Sequence, residues 1–129
     1  MARQLINPES LHPAPGFSHI TVAEGSKTVY FAGQVALDRE FNIIGGDDLR
    51  AQTIAAMRNL ESAMKEAGVT WDDIVRRTVY TTQPTEFETI SAGINEVTGS
   101  AADPAQTIAG VTGLAVPGLM IEVEATACV

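Results

Sequence analysis

The last strand-like segment places the tightest limit on how this chain folds. In residues 121–128 (IEVEATAC), four apolar residues alternate with Glu122, Glu124, Thr126 and Cys128. A period of two is typical of a β-strand with one buried and one polar face. The segment therefore predicts a sheet with one covered apolar side and an opposite side from which two carboxylates project.

Further segments have the composition of strands. Residues 27–35 (KTVYFAGQV) and 74–82 (IVRRTVYTT) are rich in β-branched and aromatic residues, which is typical of buried strands. Residues 19–23 are predicted to be the shorter hairpin partner of the first of these, while 106–111 and 119–128 form the last two strands. With two helices between them, the predicted order is β-β-β-α-β-α-β-β.

The first helix is the better marked of the two. Asp47 or Asp48 is expected to cap its start, and Gly68 is expected to close it. Between them, apolar residues recur at spacings of three and four, which indicates one buried helical stripe. This stripe consists of Ile54, Met57, Leu60, Met64 and Ala67.

The second helix begins near Thr85 and Glu88, whose three-residue spacing predicts a capping box, and extends to about Val97. Two helices cover only one face of a sheet. The chain is therefore predicted to be one α+β domain over residues 1–129, with a six-stranded mixed sheet and both helices on one face. The uncovered face predicts self-association, which would bring its carboxylates into a subunit interface.

Composition excludes several classes of function. The 129 residues carry 16 acidic and 8 basic side chains, a net charge of -8, with no basic cluster larger than Arg76-Arg77. Nucleic-acid binding depends on cationic contacts and is not expected. His12, His19 and Cys128 do not predict a metal site, and no cofactor is expected. With no secretory signal or membrane span in the sequence, we predict a cytoplasmic protein without membrane partners.

Several stretches together resemble the RidA/YjgF family. They are GFSH, FAGQV, AAMRNLESAMKEAG, DIVRRTVYTT and DPAQTIAGVTGLAVPGLMIEVEATA, which cover most of the chain. The resemblance implies a chorismate-mutase-like fold and a homotrimer with a small-molecule pocket at each subunit interface. It also implies an imine/enamine deaminase activity, in which a hydrolase converts reactive 2-imino acids to 2-keto acids and ammonia.

The resemblance further implies which residues line the pocket. The arginine that binds the substrate carboxylate in deaminating members corresponds to Gln106, which lacks both the charge and the bidentate fork. Other positions that depart from the family pattern are Phe17, Ala32, Ser91 and Ile108. Positions that match it are Gly33, Thr107, Gly110 and Glu122. Glu122 is the implied catalytic residue, and Gln106, Phe17, Ala32, Gly33, Ser91, Thr107 and Ile108 are the implied ligand-binding residues.

Three classes of function follow from these positions. The first is a divergent imine/enamine deaminase with altered substrate preference, in which Glu122 activates water. The second is a non-catalytic trimer that binds or senses a small molecule. The third is a chaperone-like interaction protein with a vestigial pocket. Gln106 either contacts the ligand or only fills space after a loss of activity. Glu122 is either a general acid/base or a structural carboxylate. The ribonuclease activity attached to some relatives is not expected at this charge.

Overall fold

The computed structural model describes residues 2–129, which form six strands, two α-helices and one turn of 3-10 helix. The strands are β1 (Ala2–Ile6), β2 (Ile20–Glu24), β3 (Thr28–Val35), β4 (Ile74–Thr81), β5 (Ala105–Gly110) and β6 (Ile121–Cys128). The helices are α1 (Leu49–Ala67) and α2 (Phe87–Thr98), and the 3-10 turn is Trp71–Asp73. The predicted element order and the α+β class are confirmed.

The six strands form two sheets rather than one. Four of them lie in the order β3-β6-β4-β5, where β6 is antiparallel to both neighbours and β5 is parallel to β4. The predicted pairing of residues 19–23 with the strand that follows is wrong, because β2 pairs with β1 instead. The backbone N–H groups of Ser26 and Lys27 both donate to the carbonyl oxygen of Val129, so β3 starts beside the end of β6 rather than beside β2.

Both helices pack on one face of the four-stranded sheet, where the main core lies. The predicted inward residues of β6 are all buried, and the stripe of α1 meets them with Met57, Leu60 and Met64. Ala67, expected at the end of that stripe, is exposed in the last turn. The inward residues of β6 are Ile121, Val123, Ala125 and Ala127, each with at most 5% of its surface exposed.

Both termini of α1 follow the sequence, whereas at α2 the end near Val97 does and the start does not. Asp48 caps α1 by accepting a hydrogen bond from the backbone N–H of Ala51 at 3.1 Å, and Gly68 ends the helix in a left-handed conformation. The capping box expected at Thr85 is wrong. A turn closed by the N–H of Glu86 and the carbonyl of Gln83 precedes α2, which starts without a side-chain cap.

The face of the sheet opposite the helices is polar rather than apolar. It carries Glu122 and Glu124 of β6 beside Arg76, Thr78 and Tyr80 of β4, all half-buried or exposed. We call it the open face. Neither helix in the described chain combines the length and apolar character needed to span a bilayer.

Candidate functional site

The site residues suggested by the sequence fall on two faces of one sheet. The parallel register of β4 and β5 places Gln106 opposite Arg77, and Thr107 opposite Thr78. Arg77 is 3% exposed and points to the helix side, whereas exposed Arg76 donates to the Thr107 hydroxyl at 2.7 Å on the open face. Because successive side chains of a strand point to opposite faces, Gln106 and Thr107 belong to different sites.

A buried guanidinium organises the helix side of the β5 edge. Arg77 Nη2 donates to Asp103 Oδ1 at 2.9 Å and to the carbonyl oxygen of Gly16 at 3.0 Å, while its Nε donates to Gln106 Oε1. Burial lowers the pKa of Arg77, and the hydrogen bond and charge of Asp103 oppose that shift. The ion pair neutralises a charge that would otherwise be costly inside the protein.

The loop that precedes β2 closes over this guanidinium and packs against α2. Gly16 has a φ of 75°, and a Cβ there would lie 3.0 Å from the hydroxyl of Ser91. The next residue, Phe17, packs edge-on against the ring of His19, with centroids 5.3 Å apart. Gly16, Phe17, Ser91 and Gln106, together with Arg77 and Asp103, form what we call the edge site.

Glu122 lies on the open face, directly over the backbone of β3. A Cβ at Gly33 would lie 2.0 Å from Glu122 Oε2, so the absence of a side chain at Gly33 leaves room for this carboxylate. Glu122 is half-buried, and its carboxylate makes no hydrogen bond or ion pair with a residue in the described part of the chain. Its oxygens therefore remain available to water or to a ligand.

A second carboxylate beside Glu122 is already engaged. The hydroxyl of Tyr80 donates to Glu124 Oε1 at 2.8 Å. That hydrogen bond, together with desolvation and the negative charges of Glu124 and Glu122, raises the pKa of Tyr80 above its ordinary value. The phenol consequently stays protonated as a donor at neutral pH. Gly33, Thr107, Glu122, Tyr80 and Glu124 make up what we call the open-face site.

Two positions suggested by the resemblance offer little polar chemistry. Ile108 pairs with Val79 and packs against the main core from β5. Ala32 is exposed on β3, and its carbonyl oxygen accepts a hydrogen bond from Gln34 at 3.2 Å. Within residues 2–129, no three His, Cys, Asp or Glu side chains come together as a possible metal site.

The residues that organise both sites are not among those predicted from the sequence. Arg77 stands there only as half of a basic pair, although inward-pointing Val79 and Thr81 follow it at intervals of two. That period was the available signal for a buried arginine. Neither Asp103 nor Tyr80 had such a signal, because their partners are 26 and 44 residues distant along the chain.

The edge site and the open-face site do not meet within one chain. Gln106 and Glu122 lie on opposite faces of the same sheet, separated by its backbone. A pocket that contains both residues must therefore combine the edge site of one copy with the open-face site of another.

Comparisons with known proteins give a consistent result. The sequence model of the family described as Endoribonuclease L-PSP matches residues 8–129. A protein of unknown function of the conserved Rid protein family, YyfB from Yersinia pestis, has 39% sequence identity over the full length of both chains and a TM-score of 0.93. A Mycobacterium tuberculosis member of the YjgF/YER057c/UK114 family has 30% identity, covers 99% of this chain and 100% of its own, and has a TM-score of 0.68.

A curated relative extends the same similarity to the archaea. A RutC family protein of Pyrococcus abyssi is 28% identical over 127 residues, which is 98% of each chain. The similarity therefore extends over nearly the full length of each of these chains.

Proposed function

The chain belongs to the RidA/YjgF family, and from that membership and the geometry of its two sites we propose that it binds a small molecule in pockets between the subunits of a homotrimer. The observation that carries the proposal is the placement of Gln106 and Glu122 on opposite faces of one sheet. A pocket that uses both residues needs two copies of the chain. A polar open face suits such an interface, because the fold leaves that face uncovered.

The reaction we propose is hydrolysis of an imine or enamine to a carbonyl compound and ammonia. Glu122 takes a proton from a water molecule as the water oxygen bonds to the imine carbon. The protonated Glu122 then returns that proton to the nitrogen, which gives a carbinolamine. The hydroxyl proton of the carbinolamine moves through Glu122 to the nitrogen as the carbon–nitrogen bond breaks, so that ammonia leaves and the carbonyl forms. The freedom of Glu122 from other hydrogen bonds supports this role, as does the engagement of neighbouring Glu124 by Tyr80.

One feature of the edge site favours a non-catalytic ligand-binding protein as the second candidate. The charge of Arg77 is matched by Asp103, and Gln106 adds none. The edge site consequently has no net positive charge from these groups for the carboxylate of a 2-imino acid. A protein of this second kind would gain thermal stability with its ligand and would show no turnover.

The experiment measures ammonia and keto-acid release from 2-iminopropanoate generated in situ. We expect Glu122→Gln to lower the rate at least ~100-fold, which is the usual contribution of a general base. Glu66→Gln is the matched control, because Glu66 is exposed on α1 and makes none of the contacts described above. Equal rates for wild type and Glu122→Gln would refute the role of Glu122. A wild-type rate no higher than the uncatalysed one would favour the second candidate.

The assembly is tested separately by light scattering after gel filtration. Each chain has a mass of 13.6 kDa, so a trimer would have a mass close to three times that value. A monomer at micromolar concentration would rule out pockets formed between subunits.

A further inference from the structure

We propose that Arg77 is a positioning residue that fixes the side-chain amide of Gln106 with its N–H groups toward the ligand, so that the edge site selects a hydrogen-bond acceptor rather than a negative charge. This inference rests on the proposed function, because it assigns a ligand class to the pocket that the edge site helps to form.

The orientation follows from the chemistry of the two side chains. A guanidinium has five N–H donors and no acceptor, whereas a glutamine amide has one oxygen acceptor and one NH2 donor. Gln106 can therefore meet Arg77 Nε only through Oε1, as it does. The amide orientation, which is ambiguous for most glutamines, is fixed here by the partner.

Arg77 itself has little freedom to move. It is 3% exposed, and Nη2 is held by both Asp103 and the carbonyl oxygen of Gly16. A guanidinium held at several nitrogens presents its Nε in one direction. The orientation of Gln106 is therefore set by the buried strand β4 rather than by the edge strand on which Gln106 lies.

The other end of the amide remains available. Gln106 is half-buried, and its Nε2 donates to no residue in the described chain. Gly16 accepts a hydrogen bond from the same guanidinium, and a Cβ on Gly16 would lie 3.0 Å from the Ser91 hydroxyl, so both residues belong to the same polar site. A ligand that fills this position must supply a hydrogen-bond acceptor, such as a carbonyl oxygen, a carboxylate oxygen or an imine nitrogen.

The charge balance decides what kind of acceptor is selected. Asp103 already pairs with Arg77 at 2.9 Å, so an anionic ligand gains little from the guanidinium. The edge site should therefore bind a neutral acceptor nearly as well as an anionic one. A site with a free arginine would instead bind the anionic ligand much more tightly than the neutral one.

The first experiment tests the orientation without any ligand. In ¹H–¹⁵N NMR spectra, we expect the Nε–H of Arg77 to exchange slowly with water in the wild type. Gln106→Met, which removes the acceptor and keeps the length of the side chain, should accelerate that exchange at least ~10-fold. No change in the Arg77 exchange rate would overturn the orientation.

The second experiment measures the dissociation constants of two probes, 2-oxobutanoate and its methyl ester, by NMR titration. The ester keeps the acceptor oxygens and loses the charge. We expect the two dissociation constants to agree within about threefold. Gln106→Glu replaces the hydrogen-bond donor by an acceptor, so the dissociation constants of both probes should rise at least ~10-fold. Gln106→Glu should melt no lower than wild type, because its carboxylate bonds Arg77 more strongly than an amide does.

The control is Gln4→Glu, which makes the same change of charge on the exposed surface of β1. Its affinity for both probes should equal that of the wild type. The inference would be overturned if the wild type bound the acid more than ~10-fold more tightly than the ester. Each factor of ten in affinity corresponds to about 1.4 kcal/mol, which a free cation would have to supply. Unchanged affinity in Gln106→Glu would also overturn it.

The outcomes separate this inference from the function on which it rests. If the wild type binds neither probe, the proposed pocket and its ligand class fail together, while the exchange rate of Arg77 still decides the orientation of Gln106. If both probes bind and Gln106→Glu has no effect, the pocket stands and the role of Gln106 fails.

Discussion

Replacing Gln106 by arginine should destabilise this protein, although the family resemblance makes it look like a restoration. Gln106 and Arg77 are direct partners on neighbouring strands, and neighbouring strands lie about 4.8 Å apart. Gln106→Arg removes the acceptor from Arg77 Nε and places a second guanidinium beside the first. Like charges directly opposite each other in a sheet are destabilising.

The magnitude can be worked from these contacts. A hydrogen bond to a charged group contributes about 1.5–3 kcal/mol. Two unit charges about 5 Å apart at an effective dielectric of about 20 repel by about 3 kcal/mol. The new side chain can turn toward solvent and relieve much of the repulsion, so we expect a net loss of about 3 kcal/mol. At roughly 3–5 °C per kcal/mol for a domain of this size, the melting temperature should fall by about 10 °C.

Calorimetry and urea unfolding at pH 7 measure this loss, and a swapped variant supplies the control. Arg77→Gln combined with Gln106→Arg exchanges the two side chains and keeps one guanidinium and one amide between the strands. The double variant should be more stable than the sum of its single effects by about 1–3 kcal/mol, the range found for residues in contact. Our account of the pair fails if Gln106→Arg melts within about 2 °C of wild type, or if the two single effects add.

Two further predictions concern the open-face site. Gly33→Ala would place a methyl group 2.0 Å from Glu122 Oε2, so the carboxylate must move. We expect the rate of imine hydrolysis to fall and the free energy of unfolding to decrease by about 1–3 kcal/mol. Full activity of this variant would contradict the assigned position of Glu122. Tyr80 should ionise above pH 10, because its neutral hydroxyl donates a hydrogen bond to Glu124. Its contribution to stability is therefore complete below pH 10 and is lost as the pH rises through its raised pKa. The ultraviolet titration of Tyr80 is the difference between the titration curves of wild type and Tyr80→Phe, and ionisation at or below pH 10 would contradict this prediction.

The sequence predicted those parts of the fold that depend on local patterns. The alternation in β6 identified which face of the sheet is buried, and the stripe of α1 identified the helix surface that covers it. Both follow from the periods of 2.0 and 3.6 residues, which are set within a few residues of chain. The period of two in β6 likewise predicts that Glu122 lies on the uncovered face.

Strand pairing was less accessible, because it depends on contacts between distant parts of the chain. Residues 19–23 looked like a hairpin partner for β3 because only a few residues separate them. The carbonyl of Val129 instead holds Ser26 and Lys27, and this contact spans about 100 residues. A short connection favours a hairpin only when nothing else binds its backbone groups, which a local pattern does not reveal.

The meaning of Gln106 shows the same limit at the level of the site. Considered alone, Gln106 stands where the family resemblance implies an arginine, and the two interpretations are contact with a new ligand and loss of activity. The parallel register of β4 and β5 adds a third possibility, because it places a guanidinium one strand away and binds it to the same glutamine. The positive charge is thus present in the site but paired with Asp103.

A substitution in a strand has to be interpreted together with its cross-strand partner, since the two side chains share one face and one hydrogen-bonding environment. By that argument, the environment of Gln106 is determined by its pairing with Arg77, and a variant at either position alone changes both side chains.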